Sequence, residues 1–383
     1  MKTITKSICL GFASLALVWF ALAPQARAAC QDACLTNSNT VQGDDALFSL
    51  TSGIQNTAMG FNALLSDTTG ENNTAVGHMA LLNNTTGNGN TAIGRQALQE
   101  NQGNFNTATG QTTLVNNTTG SANTATGDSA LAGNTTGNDN TAIGGAALQH
   151  MTAGDGNTAI GLSALQENQG NFNTATGFQA LLNNTSDNNV AYGAYALYSN
   201  TTGDLNTATG FEALYSNTDG FSNTATGFQA LSANTSGWGN VAVGYVALAV
   251  NTTGTRNTAT GNGALFSNTT GSRNVATGLN ALTSMTDGGH NVGFGNCTFC
   301  SMTTGEYNTA LGYSAGWNLT TGNNNIVINN VGVATESNTI RIGSVVAGEA
   351  ADGSTQPAHT ATYIAGISGT TITRGVGVVI DVT

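Results

Sequence analysis

Two cysteines three positions apart, Cys297 and Cys300, are the nearest approach to a reactive pair in this 383-residue chain. A C-x-x-C pair can exchange disulfides, supply half of a zinc site or close a local disulfide. Zinc would require two further ligands, so the pair reads as a structural disulfide. Cys30 and Cys34 are the other candidates; Cys9 lies in a leader that is removed. Four cysteines allow three pairings, of which local pairs are the simplest. His78, His150, His290 and His359 fall at different places in the repeat described next, so nothing in the pattern gathers them. The carboxylates are scattered as well: Asp139, Asp155, Asp187, Asp204, Asp219 and Asp287. Cleaving a glycosidic bond takes two carboxylates facing one bond, and Glu100 and Glu167 stand too many repeats apart to do so. Calcium could be held where Asp139 and Asp155 crowd a loop, but the calcium-binding nonapeptide of other solenoids is absent. The expectation is a protein that is not an enzyme, with no metal and no cofactor.

The elements that position these residues are set by a repeat, N-T-A-x-G-x-x-A-L-x-x-N-T-T-G-x-x. Its first Asn recurs at 39, 56, 73, 90, 106, 123, 140, 157, 173, 189, 206, 223, 240, 257, 274, 291 and 308, always 17 or 16 residues apart, and a weaker copy opens at Asn325. A fixed short period is the signature of a solenoid. Positions 1 to 4 alternate as a strand does, with β-branched residues common at 2 and 4. Position 5 is always Gly from Gly43 to Gly312, including Gly60, Gly77, Gly94, Gly110, Gly127, Gly144 and Gly161. An obligatory glycine at a bend points to positive φ or to crowding of the backbone. Position 9 is Leu in the first fifteen copies: Leu47, Leu64, Leu81, Leu98, Leu114, Leu131, Leu148, Leu165, Leu181, Leu197, Leu214, Leu231, Leu248, Leu265 and Leu282. One copy cannot bury its own apolar side chains. Stacked at ~4.8 Å, each Leu lands on the next and the column becomes the core. N-T-T-G supplies the second corner. The A-L-x-x-N stretch fits either a second short strand or a single helical turn. The fold expected is therefore all-β, a parallel β-solenoid of about 18 stacked 17-residue coils, a rod of roughly 85 Å, with a small C-terminal β cap.

The boundaries follow. Residues 1–28 read as a secretory signal: Lys2 and Lys6, an apolar run over 8–23, then Ala-Arg-Ala at 26–28. Residues 29–38 form an N-terminal cap, 39–328 the solenoid and 329–383 the C-terminal β cap. No other apolar stretch is long enough to span a membrane as a helix. After the leader, five basic residues stand against twenty acidic ones, a net charge of −15 with no lysine. Such a surface argues against nucleic acid and anionic lipid as partners. The Asn-Thr-Thr triplets match an N-glycosylation sequon but read better as corner chemistry.

N-T-A-I-G and N-V-A-V-G resemble the S-V-A-I-G motif of the YadA-like head repeats of trimeric autotransporter adhesins, over roughly residues 39–328. The family's repeat is usually shorter; here the second half of each copy is longer. The resemblance implies a left-handed parallel β-roll, assembly as a homotrimer, a secreted or bacterial cell-surface location and attachment to a surface or to a protein or glycan ligand. N-T-I-R-I-G at 338–343 and Y-I-A-G-I at 363–367 are similar to sequence that leads, in related secreted and phage-fibre proteins, into a self-cleaving chaperone domain. The chain ends at Thr383 without that domain, the coiled-coil stalk or the membrane β-barrel; truncation, or a partner that supplies the anchor, would both fit. Two alternatives to the adhesin reading are a phage-fibre-like receptor-binding protein and an ice- or crystal-surface-binding solenoid. The last is suggested by Thr-Ala-Thr at 107, 124, 174, 207, 224 and 258, although Met59, Val76, Ile93, Ile143 and Val243 interrupt that array.

Overall fold

The computed structural model describes residues 33–343, 348–349, 353 and 355–356. It is a β-solenoid of about 18 turns with almost no helix. Nineteen strands, from β2 (Asn39–Gln42) through β3 (Thr57–Met59) to β20 (Ile340–Ile342), stack one per coil in a single parallel sheet. The register is one-to-one: Thr57 pairs with Thr74, Ala58 with Ala75 and Met59 with Val76. Strand β1 (Ala33–Leu35) folds back antiparallel on β2 and covers the first edge of the sheet, which would otherwise expose unpaired backbone groups. At the other end β20 pairs with β19 (Ile326–Ile328), so the stack runs one rung past the boundary at 328. That rung escaped the repeat because its coil is shorter, with Asn325 and Thr339 bonded 14 residues apart. Beyond it, β21 (Gly348–Glu349) and β22 (Thr355–Gln356) form a small antiparallel pair.

Each strand from β2 to β19 points its third-position residue inward. Ala58, Ala75, Ala92 and their successors are buried, as are the Ala and Leu of positions 8 and 9. All fifteen leucines from Leu47 to Leu282 lie in the core, which Phe299 continues. Small Ala and large Leu together fill the narrow cross-section, as close packing of an interior requires.

The A-L-x-x-N stretch is neither strand nor helix. It is a compact turn in which positions 7 and 9 both take positive φ: 58° at Asn62 and 51° at Leu64, 59° at Met79 and 51° at Leu81. Left-handed Leu costs roughly 1–2 kcal/mol. Burying its side chain contributes about 1.5–3 kcal/mol, and the turn's N–H groups find partners on the next coil, as in Leu64 N–H to the Ala80 carbonyl (3.0 Å). The ladder thus continues where no strand is formed, and the buried backbone is satisfied.

Two asparagine columns complete the interior. In the first, each position-1 Asn ties two coils: the Asn56 N–H donates to Asn39 Oδ1 (2.7 Å), and Asn56 Nδ2 donates to the Gly70 carbonyl (2.7 Å) at the second corner. The second runs through position 12, with Asn101 Nδ2 donating to Asn84 Oδ1 (3.2 Å) and Asn117 Nδ2 to Asn101 Oδ1 (2.7 Å). All of these side chains are buried. Met151, Met285 and Met302 interrupt the second column. The interruption at Met285 leaves Asn268 Oδ1 buried without a donor. In the three 16-residue coils one residue is missing between the columns, and they bond directly, as in Asn106 Nδ2 to Asn101 Oδ1 (3.1 Å).

Candidate functional site: the outward face and the corner edge

With the interior filled, chemistry is confined to what the coils present outward. The sheet shows solvent its positions 2 and 4. Position 2 is a column of Thr, broken by Val190, Val241, Val275, Val292, Ile326 and Ile340; position 4 mixes Thr with Met59, Ile93, Ile143, Ile160, Tyr192, Val243, Phe294 and Leu311. These large apolar side chains are exposed in the single chain. Beside them, just past the glycine bend, Phe211, Phe228 and Tyr245 stack on successive coils at 5.5 and 5.2 Å. Their signal is in the sequence, as aromatic residues at one repeat position in consecutive copies, but aromatic spacing of this kind carries no catalytic chemistry.

The residues singled out for catalysis stay apart. His150 bonds Glu167 on the next coil (Nδ1 to Oε1, 2.6 Å) at the surface. Glu100 accepts from Asn83 (2.8 Å) and Gln99 (2.9 Å), four coils away from Glu167. His78 stacks on Phe61, and His290 on Tyr307. His359 lies outside the described residues. Asp139 and Asp155 border a shallow depression of ≈ 530 Å³ with Asn138 and Phe172. There Asp155 Oδ1 accepts the Asn138 N–H (2.7 Å). Among the described residues no three His, Cys, Asp or Glu side chains come together as a metal would require.

Cys297 and Cys300 are joined as a disulfide within one turn, which locks the loop around Phe299, the residue that takes the place of Leu in the core. Cys30, and the side chain of Cys34, lie outside the described residues. The Asn of each Asn-Thr-Thr triplet, such as Asn84, Asn117 and Asn251, is a buried member of the second column. Its amide is therefore spent on the ladder and closed to modification. Among the described residues no helix is long and apolar enough to cross a membrane.

Among the described residues, one ionisable side chain is fully buried in the rod. Asp67 takes the place of Asn in the second column, and its carboxyl is pushed up to about 6, chiefly because burial penalises the charge; bonds from the Gly70 N–H and the Asn84 amide oppose this only in part. The folded protein therefore keeps this proton after the unfolded chain, with its ordinary value of 3.8, has released it. The stability it contributes is complete below about pH 4 and is lost as pH rises through about 6. Asp67→Asn restores the ladder's own amide. It is expected to raise stability at pH 7 by about 2–3 kcal/mol and to change it little at pH 4, as urea unfolding at both pH values would show.

No protein-family model matches the chain, and no curated protein is significantly similar to it.

Proposed function

We propose that this chain is an exported, non-enzymatic rod of the adhesin type, which attaches a cell to a surface or to a protein or glycan partner. The observation that carries this reading is the outward face: nineteen strands in register expose one continuous strip, roughly 85 Å long, in which a column of mostly Thr runs beside one that mixes Thr with large exposed apolar side chains. Exposed apolar patches on this scale are characteristic of interaction surfaces. Three sister chains covering the Met59, Ile93, Ile143 and Leu311 column would form the homotrimer that the likeness to YadA-like heads implies. Light scattering of residues 29–383 after size exclusion is expected to give three times the chain mass, and beads coated with the protein are expected to bind to protein- or glycan-coated surfaces. A single-chain mass would remove the trimer, and failure to bind any coated surface would remove the attachment role.

One observation favours a second reading. Where position 4 is Thr, as in the strands Thr207–Thr209 and Thr224–Thr226, paired Thr columns run in register with no side chain between them. That is the kind of regular hydroxyl array that could bind ice or a crystal face. Thermal hysteresis or faceting of ice crystals by the pure protein would establish it, and round, unshaped crystals at high concentration would eliminate it.

A further inference from the structure

The last two residues of each coil form a long edge at the second corner, and charge is segregated along it. Coils are numbered from the one opened by Asn39. The edge then carries Asp187 in coil 9 and Asp204 in coil 10, Phe221 in coil 11 and Trp238 in coil 12, Arg256 in coil 13 and Arg273 in coil 14. These side chains are exposed except for half-buried Trp238. Like charges on neighbouring rungs of a sheet repel, so each block is unfavourable within its own chain. Both ion pairs seen among the described residues lie elsewhere, at His150–Glu167 and Arg341–Glu336. The groups are nonetheless held in place. Asp187 Oδ1 accepts the Asn171 N–H (2.7 Å). The Arg256 guanidinium lies 4.3 Å over the Trp238 ring, whose other face stacks on Phe221 at 5.4 Å. Arg273 contacts His290 Nε2 (3.3 Å).

The order acid, acid, aromatic, aromatic, base, base is its own complement when reversed. We infer that this edge pairs with the same edge of a second copy running antiparallel, about a two-fold axis between Phe221 and Trp238. That axis sets coil 13 against coil 10 and coil 14 against coil 9. Arg256 then faces Asp204, Arg273 faces Asp187, and both contacts occur twice, as a self-complementary interface demands. The aromatic rings meet at the centre, where binding energy concentrates, and the arginines meet carboxylates, for which the guanidinium fork is suited. The match ends at coils 7 and 16, where Asp155 and Glu306 would oppose each other. Eight coils span roughly 38 Å. A single edge of that length buries less than the ~800 Å² per partner of a stable complex, so pairing is weak for isolated rods and cumulative for rods arrayed on opposed surfaces. This goes beyond the attachment role by naming a partner, and it stands on the edge alone.

Sedimentation of the whole chain over rising concentration tests it. At low salt the mass is expected to double relative to the unit present in 1 M salt, where charges are screened beyond about 3 Å. Arg256→Asp/Arg273→Asp makes every facing pair acidic, and Asp187→Arg/Asp204→Arg makes every pair basic. Each double variant is expected to weaken pairing at least about tenfold while melting like the parent. An equimolar mixture of the two restores opposite charges at all four contacts and is expected to pair again. Absence of doubling in the parent, or failure of the mixture to pair, would overturn the inference. Doubling without binding to coated surfaces would keep the pairing and discard the attachment role.

Discussion

Leu181→Asp is expected to divide the rod. Leu181 lies mid-stack in coil 9, fully buried between the leucines of the neighbouring coils, with its N–H bonded to the Ala196 carbonyl (3.0 Å). An unpaired carboxylate there loses the apolar burial of Leu and carries a desolvation penalty; together these cost on the order of 5 kcal/mol. Coils contact only their neighbours, so the damage does not spread evenly. Solenoid stability is a sum of units and interfaces, and breaking one central interface uncouples the halves on either side. Thermal melting followed by circular dichroism should show a lower, broadened or two-step transition in place of a single one. Leu181→Met keeps the volume and should cost less than about 1.5 kcal/mol. A Leu181→Asp protein that melts like the parent would mean that this column does not face inward.

Two glycine-to-alanine substitutions should separate as strongly. Gly227 is at position 5, with φ at +138° and an added Cβ only 2.3 Å from the Gly244 carbonyl oxygen on the next coil. That region of φ is nearly closed to L-residues, and the clashing atom is a backbone carbonyl oxygen of the stacked coil, which accepts the Ala247 N–H of its own turn (3.4 Å) and cannot give way. Gly227→Ala is expected to cost more than about 3 kcal/mol. Gly239, in the last position of its coil, has φ at +66°, and its added Cβ would meet only Arg256 Cγ at 3.6 Å. Other coils place Phe105, Arg256 or Arg273 in the same conformation. Gly239→Ala should therefore cost about 1 kcal/mol. Chemical denaturation of the two variants side by side measures the difference; equal losses would refute crowding at position 5.

Most of this architecture could be read from the residues, because a stacked coil forces identical demands on identical positions. Gly at position 5, Leu at 9 and Asn at 1 recur because each meets its own copy one rung away. The turn around Leu was not legible. Leu in the left-handed region is uncommon, and only the backbone bonds between coils make it tolerable here; local propensity holds no trace of them. The second asparagine column was written in the sequence but hidden by the company it keeps, since Asn beside Thr-Thr-Gly reads as an exposed turn. Its exceptions, Asp67, Met151, Met285 and Met302, become meaningful only once position 12 is known to face inward. The charged edge needed one step more. Asp187, Asp204, Arg256 and Arg273 look scattered along the chain until the coils are aligned, and the three shorter coils blur that alignment.

The shorter coils carry a consequence of their own. Each omits one residue at the same corner, and the strand, the glycine bend and the leucine column pass through undisturbed. The final rung tolerates a still larger omission. A structure that absorbs such changes locally can also gain or lose a whole coil, because every new neighbour presents the same Ala, Leu and Asn to its faces. Reach then becomes a quantity that recombination between near-identical DNA segments can adjust in steps of about 4.8 Å, without any new interface having to be invented.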